Sequence, residues 1–225
     1  PIKALSNFII FLNSLLVIPI DFSVANSLLR RFIFVVIVLN ILVIPISEIT
    51  IIKPYKNKEC LIYTFSTKVI ETNPKYFYAY EETAILAYHL KNYDEAIKMF
   101  AKAYEYSNSY SYKLMISACY NLKGDKLTAK KVLQDELKVL DKSSIEYEMV
   151  RFHSDVYSKN AEALLISKIS KESNSTVRGK MLFYMGLYCE LNNIPSMAGE
   201  YYAKVTAMQA PMFFEYRIAE WSLGL

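Results

Sequence analysis

The residues that could do chemistry are few and scattered. Two histidines, His89 and His153, and three cysteines, Cys60, Cys119 and Cys189, make up all the soft ligands and strong nucleophiles of the chain. Metal sites gather three or four such side chains at short spacing, and neither histidine has a Cys, His or carboxylate at metal-ligand spacing. Glu81 and Glu82 form the one acid pair that invites a catalytic reading. Adjacent positions on a helix diverge by about 100°, however, so the two carboxylates cannot work on one bond. No glycine-rich phosphate loop and no Gly-x-Ser-x-Gly elbow occurs. The cysteines fall on helical apolar faces and read as buried thiols, and their odd number assigns no compartment. Asn174-Ser175-Thr176 fits the glycosylation acceptor triplet, a pattern short enough to arise by chance. The expectation is therefore no catalytic site, no cofactor and no metal.

The elements that position these residues are helical. Tyr80, Thr83, Ala84, Ala87 and Tyr88 recur at i, i+3, i+4, i+7 and i+8, the stripe of an amphipathic helix. The turn Lys91-Asn92-Tyr93-Asp94 follows, and Asn92 with Glu95 three residues on predicts a capping box. Ala96, Ile97, Phe100, Ala103 and Tyr104 then mark one face of a second helix. A single hairpin of this size cannot bury both faces and needs neighbours. They recur along the chain: Ala96, Ala129, Ala163 and Ala198 follow one another at spacings of 33, 34 and 35 residues. The position four residues on holds Phe100, Leu133, Ser167 and Tyr202. Twelve residues before the alanine stands a small residue in three of the four cases, Ala84, Ser117 and Gly186. Small residues at facing positions let two antiparallel helices approach closely.

LKNYDEAIKMFAKAYEYSN resembles the turn and second helix of the tetratricopeptide repeat (TPR) family, with Ala96, Phe100 and Ala103 at its signature positions. NLKGDKLTAKKVL and MGLYCELNNIPSMAGEYYAKV are looser matches. The resemblance covers roughly 59–225. Tyr80 stands where the family has Trp, and Asn108 where it has a closing Pro. The pair 143–175 departs furthest, with a short turn at Tyr157-Ser158-Lys159-Asn160 and Ser167 in place of a large apolar residue. The resemblance implies an all-α fold, a TPR-like solenoid of antiparallel helix pairs. Its parts are a helix over 59–73, pairs over 76–108, 110–141, 143–175 and 177–210, and a capping helix over 213–225. It also implies a concave groove lined by the first helices. In this register the groove side holds Tyr78, Glu81, Ile85, Tyr88 and His89 from the first pair. Leu114 and Asn121 follow from the second, and Lys180, Phe183 and Leu187 from the last. Such a surface suits a protein or peptide partner, with Tyr78, Tyr88 and Phe183 as aromatic anchors. Glu81, Ile85 and Met115 at the positions of the family's carboxylate clamp argue against chaperone tails.

Composition divides the chain. Hydrophobic residues make up 53% of it, and the excess lies at the amino terminus. Residues 1–52 carry only Lys3, Asp21, Arg30, Arg31 and Glu48 as charged side chains, and all 19 tyrosines lie at Tyr55 or later. Residues 53–58 read as a linker. LLVIPID at 15–21 is echoed by ILVIPIS at 41–47, each apolar run ending on a proline, a stop signal. Runs over 4–20 and 32–52 are short but usable spans of a bilayer, and they predict a transmembrane helical hairpin. A secretory signal, a single span with an interfacial helix, or a buried hairpin are the competing readings; no small-x-small cleavage site follows. Arg30 and Arg31 pull the linker between the runs to the cytoplasm, and Lys53, Lys56 and Lys58 pull the other way. The balance leans to an external helical domain. A net charge of +4 without a run of like charges gives no nucleic-acid stripe.

Together these readings predict a membrane-anchored, non-catalytic interaction module. The alternative is the carboxy-terminal spans and TPR-like tail of a larger polytopic envelope-glycan polymerase or ligase, which the start at Pro1 would suit.

Overall fold

The computed structural model describes residues 66–67, 69–154, 159–208 and 213–225. The expected hairpin of residues 1–52 and the linker 53–58 lie outside them. The chain divides into two compact units, Pro1–Pro74 and Lys75–Leu225. In the first, residues 69–72 are helical and the helix stops before Pro74.

The second unit is all-α among the described residues. Its helices are α1 Phe77–His89, α2 Tyr93–Ser107, α3 Tyr110–Leu122, α4 Lys126–Glu136, α5 Ile145–Ser154, α6 Lys159–Lys171, α7 Ser175–Leu191, α8 Pro195–Ala207 and α9 Phe214–Ser222. Each packs on the next along the chain, as short connections dictate.

One turn is built three times. Lys91, Gly124 and Asn193 adopt left-handed backbone with φ of 60°, 86° and 59°, each five residues before Ala96, Ala129 and Ala198. Their N–H groups donate to the carbonyls of Tyr88, Asn121 and Glu190. The next residues, Asn92, Asp125 and Ile194, donate to Ala87, Tyr120 and Cys189 at 2.8, 2.9 and 2.9 Å. This pair of bonds is the Schellman arrangement, which satisfies the orphan carbonyls at a helix end. The residue that closes one helix also caps the next. Asn92 Oδ1 accepts from Glu95 N at 3.4 Å, and Asp125 Oδ1 from Thr128 N at 3.0 Å. Pro195 sits in the first turn of α8, where its missing N–H costs nothing. The expected capping box closes on one side only. Asn92 N–H is already spent on Ala87, and the Glu95 carboxylate lies near Lys98 instead.

The seams follow the small-residue pattern in these three hairpins. Ala96, Phe100 and Ala103 are buried, as are Ala129, Leu133 and Glu136, and Ala198, Tyr202 and Val205. Across from them Ala84, Ser117 and Gly186 are buried too. Ser117 Oγ donates to the Ala129 carbonyl at 3.0 Å, so the two backbones meet at the small residues. At Gly186 an added Cβ would stand 2.7 Å from the Tyr202 ring, and only glycine leaves room for it.

The pair α5–α6 corrects the sequence reading. Ala163 is exposed and Ser167 half-buried, whereas Leu165 and Ile169 are buried. The inward face lies two residues on from the expected register. Leu and Ile remove far more apolar area from water than Ala and Ser would, and that area sets the rotation of the helix. Part of the expected turn, Lys159 and Asn160, already belongs to α6.

Candidate functional site

The first helices α3, α5 and α7 contact one another, and the side they share is termed the inner face. His153 of α5 reaches outside its own pair: its Nε2 lies 3.0 Å from the Tyr184 carbonyl of α7 and serves as donor to it. Burial pushes this imidazole down to about 4, so it stays neutral.

The inner face is occupied by the chain itself. α9 packs on α8, on α7 and on α1, so it lies across the face rather than only at the end of the row. Phe214 stacks on Tyr112 of α3 with ring centroids 5.7 Å apart and 14° between planes, and approaches Phe100 of α2 at 6.0 Å. Arg217 donates two hydrogen bonds of 2.6 Å to Glu82 of α1, the fork geometry that makes such pairs strong. Glu215 is fully buried and accepts from the Tyr184 hydroxyl at 2.8 Å, with Lys180 Nζ 3.9 Å away. Its second oxygen has no hydrogen-bond partner among the described residues. Trp221 lies against His89, centroids 4.4 Å apart, with Arg217 over its ring at 5.7 Å. Phe213, just before α9, fits against Gly179, where an added Cβ would stand 2.5 Å from its ring.

Glu81 belongs to the same cluster. The Tyr112 hydroxyl donates to it at 2.5 Å. Burial pushes its carboxyl up to about 7; the Tyr112 bond opposes this, and the neighbouring Glu82 and Glu215 add to it. Glu81 and Glu82 do diverge, one toward α3 and the other toward α9. They are two structural carboxylates and not an acid–base pair.

The expected groove residues separate by exposure. Ile85, Leu114, Phe183 and Leu187 are at most 1% exposed; they are core. Phe183, expected as an anchor, sits in the α7–α8 seam 5.6 Å from the Tyr202 ring. Tyr78, Glu81, Tyr88, Asn121 and Lys180 are half-buried, and His89 is exposed. Tyr88, His89 and Trp221 border a shallow cavity of about 230 Å³, with Tyr93, Lys91 and Glu190 around it. Sequence reasoning missed Tyr112, Tyr184, Glu215 and Arg217, and named Glu82 only as one of an acid pair. The available signal was the pair of opposite charges inside the otherwise apolar run Phe213–Ala219.

Among the described residues His89, His153, Cys119 and Cys189 do not gather at one place. Cys119 and Cys189 are buried free thiols, and burial pushes Cys119 up to about 12. No cluster able to hold a metal occurs among the described residues. The Asn174 side chain of the acceptor triplet caps α7, accepting from Thr176 N and Val177 N. No protein-family model and no curated protein matches the chain.

Proposed function

We propose that residues 59–225 form a TPR-like solenoid whose job is to dock a protein partner, and that residues 1–52 hold it at a membrane. The observation that carries this reading is the turn built three times over, with an inner face that receives a helix. A row of hairpins with one repeated turn exposes one continuous inner surface, and helix-in-groove docking is a standard use of such a surface. Among the described residues the arrangement offers groups suited to binding. Tyr78, Tyr88, Asn121 and Lys180 are the accessible contacts, and rigid tyrosines give large contact area at small entropic cost. The membrane part rests on the apolar runs 4–20 and 32–52; among the described residues no helix is long and apolar enough to cross a membrane.

Two measurements test it. The full chain should sediment with membranes and resist alkaline carbonate. In detergent it should capture a protein partner that Tyr88→Ala and Tyr78→Ala reduce by tenfold or more while the thermal melt is retained. Release by carbonate would remove the anchor, and capture unchanged by both substitutions would remove the groove.

A further inference from the structure

α9 differs from the other helices in how it is held. Three of the hairpins are joined by Schellman turns and meet at alanine, serine or glycine. α9 packs instead on three helices, α8, α7 and α1. It spans nine residues, and a helix of that length is not stable in water alone, so it is helical because it is seated. Its seat is assembled from separate helices: Glu82 from α1, Tyr112 from α3, and Gly179, Lys180 and Tyr184 from α7. Each seat group meets a different property of α9. Glu82 takes a guanidinium with both oxygens, Tyr112 stacks an aromatic ring, the Gly179 notch admits the ring of Phe213, and Tyr184 with Lys180 takes a carboxylate. One Glu215 oxygen is buried with no hydrogen-bond partner among the described residues, and a buried acceptor left unmade works against the seated state. Glu215 and Arg217 are two residues apart and point to opposite neighbours, so both flanks of α9 are read.

We propose that α9 is an internal competitor for the partner, and that the partner is an amphipathic helix of the same chemistry: two successive aromatic residues, a carboxylate directly after them, an arginine two residues further, and a tryptophan four beyond that. This rests on the inner face being the docking surface. Binding in trans then requires α9 to leave, and the apparent affinity is lowered by the fraction of molecules whose seat is vacant. Charge complementarity selects the orientation, since reversing the helix would set its arginine against Lys180 and its carboxylate against Glu82.

A labelled synthetic peptide of residues 213–225 tests this against the full chain in detergent. Peptide binding should be at least tenfold tighter to the Arg217→Glu chain than to the unsubstituted chain, because the reversed charge faces Glu82 and vacates the seat. A peptide carrying Arg217→Glu should not bind that chain, but should bind a Glu82→Arg chain. Equal binding of the native peptide to the unsubstituted and Arg217→Glu chains, or binding indifferent to the charge swap, overturns the proposal. Hydrogen exchange of the unsubstituted protein provides a test independent of variant folding. α9 amides should exchange through a partial opening, at least tenfold faster than the slowest amides of α3 and α7. Exchange of α9 together with those slowest amides overturns it. Peptide binding that succeeds while the chain is released from membranes would sink the anchor and leave the competitor intact.

Discussion

The hairpin α1–α2 and the pair α5–α6 were expected to share one design, yet they seat their second helices differently. In α1–α2 a left-handed residue and a shared cap fix where the chain re-enters, and Ala96 meets the facing backbone with Phe100 one turn later. In α5–α6 the alanine that matched the spacing faces water, and Leu165 and Ile169 carry the contact. Turn chemistry fixes the phase of the second helix where it is present. In α6 the phase follows the face that buries more apolar area.

The largest effects should come from removing the two competing anchors. Phe100→Ala should cost about 3–5 kcal/mol and Leu165→Ala about 2–5 kcal/mol in denaturant unfolding. A Leu165→Ala loss below about 0.5 kcal/mol would mean that α6 is not held by this face.

Next comes pH, because burial shifts Glu81 in one pair and His153 in the other, and the two run in opposite directions. Glu81 of α1 titrates near 7 when folded against 4.5 ordinarily. Its contribution is full below 4.5 and is lost as pH rises to about 7. His153 of α5 titrates near 4 against 6.5. Its contribution is full above 6.5 and is lost as pH falls to about 4. Each is worth at most roughly 3 kcal/mol, and between pH 4.5 and 6.5 the two slopes oppose. Glu81→Gln should make stability climb with pH across that window relative to the native chain, and His153→Gln should make it fall. Parallel stability–pH curves for all three proteins would show that neither group is linked to folding.

Overpacking separates the two registers directly. Ala96→Leu should cost about 1–3 kcal/mol, while Ala163→Leu, on a water-facing position, should stay within about 0.5 kcal/mol. Equal melting shifts would erase the distinction between the pairs. The smallest effect belongs to the turn itself. Lys91 holds left-handed backbone that its Cβ disfavours, so Lys91→Gly should stabilise by about 0.5–1 kcal/mol, read as a small rise in melting temperature; Lys123→Gly, next to the glycine that already fills this role, should not.

What could be read from the sequence was what is local. The stripe of α1, the cap at Asp125, the proline at the start of α8 and the facing small residues are each set by neighbours within one turn or one hairpin. The phase of α6 was not legible, because Ala163 and Leu165 both suit a helix and only the packed neighbour decides between them. The helices that carry the expected groove residues were legible, and the packing of α9 against them was not. Tyr78, Glu81 and Tyr88 do lie on α1, but the Arg217–Glu82 bond joins residues 135 apart in sequence, and no periodicity encodes such a meeting. Phe183 and Leu187 share the helix that forms the inner face, yet burial in the α7 seams removes them from solvent.

Trp221 gives this geometry an optical consequence. It is the one tryptophan in a chain of 19 tyrosines, and it stands on α9 in contact with His89 and near Arg217. Light absorbed by the surrounding phenols has a single indole to pass to, and that indole rides on the element whose seating matters most. Energy transfer from tyrosine to tryptophan, and the colour of the emission, therefore report the position of one nine-residue helix without any label attached.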